Sequence, residues 1–71
     1  MNRIHPNKLA NSKWTALAPQ RREKHFIVIE VIRDDREQVA DVVLEAVLTR
    51  RRLTLAWRAL TDDDTWQMGW Q

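Results

Sequence analysis

A chain of 71 residues holds one domain with one core, and folding at this size buries only about 60% of the surface that the unfolded chain exposes. The absence of cysteine excludes disulfides, thiolate metal ligands and thiol catalysis together. A net charge of +2, from 12 basic and 10 acidic residues, is too small by itself to mark a nucleic-acid binder.

The distribution of charge says more than its sum. Residues 1–33 carry Arg3, Lys8, Lys13, Arg21, Arg22, Lys24 and Arg33 against Glu23 and Glu30. Residues 34–71 carry more carboxylates than arginines, yet still contain the run Arg50-Arg51-Arg52. Charges blocked in this way can become faces of a fold. The N-terminal residues are polar and basic, with no apolar run of signal-peptide type, and no stretch is as long as a membrane span. The expected compartment is the cytoplasm, with no membrane contact.

In chain order, residues 1–12 read as a tail and turn, with Pro6 opening a short helical turn through Leu9. The domain proper is expected over residues 13–71. Residues 13–18 read as a strand that Pro19 ends, since proline cannot donate to a ladder. Residues 24–33 are the clearest strand, rich in β-branched side chains. Their apolar residues fall on both alternation faces, which predicts a strand covered on both sides or set in a small closed barrel. Residues 34–38 suit a hairpin connection. Residues 39–49 read as a strand or as a helix capped by Asp34 or Asp35, and their β-branched content favours the strand. A short strand follows at residues 53–57. Thr61, Asp62, Asp63 and Asp64 then look like a helix start, with Gly69 ending a short turn that sets Trp66 and Trp70 on one face.

Asn7-Lys8-Leu9, Ser12-Lys13-Trp14-Thr15-Ala16 and Glu23-Lys24-His25-Phe26-Ile27-Val28 together resemble the opening of a bacterial family of tryptophan-rich conserved hypothetical proteins. Val31-Ile32-Arg33-Asp34, Leu44-Glu45-Ala46-Val47-Leu48, Trp57-Arg58-Ala59-Leu60 and Trp66 with Gly69-Trp70 follow in the family's order. The resemblance spans nearly the whole chain. It implies a hairpin over residues 39–49 but no activity, because the family is a domain of unknown function. The chain departs from the family in having no glycine at residues 34–38, and in carrying Ala56 where members have proline.

No catalytic constellation is visible. His5 and His25 are the only histidines, and a general base needs a partner and a pocket that so small a chain has little room to build. Three consecutive aspartates lack the alternating ligands and glycine of a calcium loop, so no metal and no cofactor are expected. Four tryptophans serve first as core, since small domains need aromatic area, and at most one or two are expected to be exposed.

With a turn at residues 34–38, residue 24 falls opposite residue 48 or 49. Arg21, Arg22 and Lys24 then converge with Arg50, Arg51 and Arg52 at one end of the sheet, while Asp34, Asp35 and Glu37 hold the other. Arginine suits bidentate phosphate recognition, and aromatic faces beside it stack bases. The expected fold is all-β: three or four antiparallel strands curled into an SH3-like or Sm-like partial barrel, with a C-terminal helical turn. The expected function is a non-enzymatic binding module. It would contact RNA or a ribonucleoprotein through Arg21, Arg22, Lys24, Arg50, Arg51 and Arg52, with Trp57 or Trp14 stacking. The alternative is a protein–protein adaptor or inhibitor that uses an exposed sheet edge with surface Trp and Arg. A three-Arg run also has a plainer role, as a solubilising strand edge that discourages edge pairing.

Overall fold

The computed structural model describes residues 1–71. It is all-β: one antiparallel sheet of five strands, with two short 3₁₀ turns and no α-helix. The strands are β1 (Lys13–Gln20), β2 (Glu23–Arg33), β3 (Val39–Ala46), β4 (Arg52–Ala56) and β5 (Trp66–Met68), in the spatial order β4-β3-β2-β1-β5. The sheet is open, with β4 and β5 at its edges, and does not close into the expected partial barrel. Residues 39–46 form the strand that their β-branched content favours.

A β-bulge accounts for part of the two-faced apolar pattern of β2, while Ile27 and Ile32 stay half-buried on its second face. Val28 pairs with Leu44 and Glu30 with Val43, so Ile29 is an extra residue on β2. Phe26 and Val28 before this bulge, and Val31 after it, therefore point to the same core face. Further along, Ile32 pairs with Asp41 and Arg33 with Val39, so Ala40 is extra on β3. The two bulges lie on opposite strands and cancel in register. Only one face of β2 meets the main core, and Ile29 stands 38% exposed beside fully buried Val28.

That core comprises Leu9, Trp14, Phe26, Val28, Val42, Leu44, Ala46, Leu60 and Trp66. The Phe26 and Trp66 rings meet edge to face, 5.3 Å apart at 83°, a favoured aromatic geometry. The first twelve residues, expected as a tail and turn, are tied down. Pro6–Lys8 forms a 3₁₀ turn, Leu9 is buried, and Asn2 donates its side-chain amide to Leu60 O and Trp66 O at 2.9 and 2.8 Å.

The C-terminal helix does not form where Thr61 and its aspartates suggested it. The 3₁₀ turn lies earlier, at Trp57–Thr61, and places Leu60 in the core. Asp62 then accepts hydrogen bonds from Asp64 N and Thr65 Oγ1, a local turn that competes with helix. Residues 66–68 become β5, which pairs with β1 through Trp14↔Met68 and Ala16↔Trp66. Gly69, at φ +78°, bends the chain after the strand rather than capping a helix. Trp66 and Trp70 consequently lie on opposite faces of the sheet.

Candidate nucleic-acid interface

Three hairpin turns fix the placement of the basic residues. Gln20 pairs with Glu23, so Arg21 and Arg22 are the two central residues of a two-residue hairpin loop, with φ of 55° and 62°. Positive φ at both positions is the signature of a type I′ turn, normally filled by Asn-Gly. In the β2–β3 turn, which has no glycine, Glu37 takes φ 60°, and Asp34 Oδ1 braces the loop by accepting from Arg36 N and Gln38 N. In the β3–β4 turn, Arg50 takes φ 64° and donates its N–H to Ala46 O at 2.8 Å.

The register matches the hairpin argument. Phe26 pairs with Ala46 and Ile27 with Glu45, and Val47 N donates to His25 O at 2.9 Å, which puts residue 24 level with residue 48. The β1–β2 and β3–β4 turns therefore share one end of the sheet, bringing Arg21, Arg22, Lys24, Arg50, Arg51 and Arg52 together there.

These six cations are not equivalent. Glu23, 2% exposed, accepts from Arg51 Nη2 at 2.6 Å and Arg51 Nε at 2.9 Å, and also from the Thr49 hydroxyl. The Arg51 and Thr49 hydrogen bonds hold the Glu23 carboxyl below its usual pKa, and the same bond to Glu23 raises that of Arg51. Arg51 is thus a structural tie between β2 and the β3–β4 turn. Arg52 Nε meets Glu45 Oε2 at 3.2 Å, and Arg50 Nη1 lies 3.7 Å from Glu45 Oε1 with its side chain 83% exposed. Arg21, Arg22 and Lys24 are exposed and form no ion pair. Arg21, Arg22 and Lys24 are unpaired, and Arg50, held only loosely by Glu45 at 3.7 Å and 83% exposed, joins them as a cation accessible to a ligand.

The tryptophans divide differently from the expected stacking pair. Trp14 is 1% exposed and donates its indole N–H to Ser12 Oγ at 2.9 Å, so it is core. β4 runs antiparallel to β3, with Arg52 opposite Glu45 and Ala56 opposite Asp41. Trp57 therefore sits roughly 17 Å from Arg52, at ~3.4 Å per residue. It lies at the acidic end, in a cleft with Glu37 and Gln38, and the Arg58 guanidinium is 4.8 Å from its ring centroid.

Trp70 is the exposed aromatic that lies toward the basic end. It occupies the second face of the sheet, 43% exposed, with its indole N–H donating to Phe26 O at 3.0 Å. Its ring lies 5.9 Å from that of His25, and Lys13 Nζ lies 4.7 Å from its centroid. Gln71 N donates to Thr15 Oγ1, which in turn donates to Gly69 O, so the segment after β5 folds across this face. The sequence signal was obscured because Trp70 read as the helical partner of Trp66.

His25 lines a cleft of about 260 Å³ with Arg22, Lys24, Val47 and Leu48, whereas His5 lines a different one. The aspartates Asp62, Asp63 and Asp64 form an exposed cluster, in which Asp63 pairs with the N-terminal ammonium. No helix is long and apolar enough to cross a membrane.

No curated protein and no solved structure matches the chain. The family model for the tryptophan-rich protein (DUF2389) matches residues 12–71, a span that takes in all five strands and all four tryptophans, and the chain belongs to that family.

Proposed function

We propose that this protein is a non-enzymatic binding module that contacts RNA, alone or within a ribonucleoprotein, through the basic end of its sheet. The supporting observation is the convergence of two remote basic segments, 21–24 and 50–52, set by the Phe26↔Ala46 register. Arg21, Arg22, Lys24 and Arg50 contact phosphates. Arg51 and Arg52 shape the surface through Glu23 and Glu45. The turn conformations add support: three of these arginines occupy positive-φ positions where glycine or asparagine is the favoured residue. Electrophoretic shift titrations with RNA at two salt concentrations test the reading. Binding that tightens as salt falls supports it, and no binding at low salt contradicts it.

A second reading rests on β4. It is an edge strand with one side unpaired, and it contains neither proline nor lysine to block pairing. A protein partner adding a strand there would make the domain an adaptor. Co-purification of one defined protein that survives nuclease and high salt distinguishes this reading from the first.

A further inference from the structure

The basic end continues onto the second face of the sheet, and the groups there are not those of a plain phosphate-binding surface. Val47 and Leu48 are 44% and 67% exposed at the tip of the β3–β4 turn, beside cations rather than away from them. Their cleft of about 260 Å³ has an apolar wall of Val47 and Leu48, an imidazole wall of His25, and Arg22 and Lys24 at its rim. Trp70 adjoins His25 and is held in place by its bond to Phe26 O, while His25 Nε2 lies within hydrogen-bond distance, 2.9 Å, of Gln71 O. Both rings are therefore positioned before any ligand arrives. Glu23 and Glu45, the carboxylates of the two converging segments, are held by arginines, which leaves the rim positive.

We infer that this cleft, with Trp70 beside it, is a subsite for an unpaired nucleotide, taking a base against His25 and Leu48 and its phosphate at Arg22 and Lys24. The inference rests on the RNA reading and narrows it to single strands. A base inside a duplex has its faces covered by its neighbours and cannot enter a cleft of this kind, whereas a single strand can turn a base out. Lys13 Nζ lies over the Trp70 ring, 4.7 Å from its centroid, so an adjoining base that stacks on that face displaces the ammonium, which is then a further cation beside it. Base–aromatic stacking tolerates any base, so the subsite selects for unpaired character and not for sequence.

The test is fluorescence anisotropy with a labelled ten-nucleotide single-stranded RNA and the matched duplex, at one low salt concentration. The parent protein is expected to bind the single strand about ten-fold more tightly than the duplex. Trp70→Leu and His25→Ala, each checked for folding by its thermal midpoint, are expected to weaken single-strand binding about ten-fold and leave duplex binding unchanged. Trp70→Phe, which keeps an aromatic face without the indole N–H, is expected to restore most of the loss, and a merely structural tryptophan would not give that pattern. Should Trp70→Leu unfold the domain, His25→Ala decides alone. Equal binding of single strand and duplex, unaffected by either substitution, overturns the subsite and leaves the basic-end reading standing. No RNA binding, with Leu48-dependent retention on anionic phospholipid vesicles, overturns both.

Discussion

Arg51 grips the buried carboxylate of Glu23 through two nitrogens, with Nη2 at 2.6 Å and Nε at 2.9 Å from Oε1. One arginine of a three-residue basic run thereby has its guanidinium committed to the fold, although its side chain stays 44% exposed. The pair also closes the end of the sheet where β2 begins and the β3–β4 turn returns.

This contact makes stability depend on pH in a defined direction. The folded-state pKa of Glu23 is lowered from its ordinary 4.5 by the Arg51 hydrogen bond first and the Thr49 hydroxyl second. A depressed carboxyl contributes stability that is fully present above the unfolded value and is lost as pH falls through the folded value. Glu23→Gln should therefore lower the urea midpoint at pH 7 and differ less from the parent at pH 3. An equal gap at both pH values would show that the charge of Glu23 does not act through Arg51.

The Arg21-Arg22 turn trades stability for its side chains. Replacing the pair by Asn-Gly, the favoured type I′ dipeptide, should stabilise the domain by about 1 kcal/mol or more. The same double substitution removes two free cations and should weaken RNA binding. Thermal unfolding and an RNA titration of the one variant read both effects, and a variant that gains stability with no loss of binding would leave these arginines without a role.

Adjacent residues across the β2 bulge should respond very differently. Val28 is fully buried, so Val28→Ala should cost about 2 kcal/mol. Ile29, the extra residue, is partly exposed, and Ile29→Thr should change stability by less than about 0.5 kcal/mol. Chemical denaturation of the two variants checks the placement of the bulge, since a strand without it would keep Ile29 on a regular alternation.

Leu60 should be among the most sensitive positions. It is 0% exposed, and Leu60→Ala should cost about 2–5 kcal/mol. A domain of this size has about 4–10 kcal/mol in total at typical per-residue stability. The variant should lose about half of that margin, which chemical denaturation followed by circular dichroism would register as a lowered midpoint.

β2, β3 and β4 were legible in the sequence because β-branched content and turn residues mark them locally, whereas β1 runs on to Gln20 through Pro19, which was expected to end it. The β2–β3 register was legible for the same reason: one polar connection, residues 34–38, separates two apolar runs. The bulges at Ile29 and Ala40 were not legible, since an inserted residue leaves no compositional trace and imitates a strand covered on both faces. The C-terminal strand was missed because three aspartates after Thr61 read equally as a helix start or as an Asx turn. Only the open edge of β1, which Trp66 and Met68 pair with, decides between them. The six basic residues of the candidate surface followed from register alone. The roles of Arg51 and Trp70 did not, because one depends on burial of Glu23 and the other on the chain crossing the sheet after Gly69.

The salt dependence of RNA affinity reports on the phosphate contacts of the basic end. Four accessible cations, the unpaired Arg21, Arg22 and Lys24 and the exposed Arg50, predict a slope of log K against log salt of about −2.8 for a single strand. Replacing Arg22 and Lys24 together with alanine should reduce that slope by about half and leave the thermal midpoint near that of the parent. RNA binding whose slope is unchanged by the double substitution, or no binding at low salt, would contradict the assignment of this end of the sheet as a phosphate-binding surface.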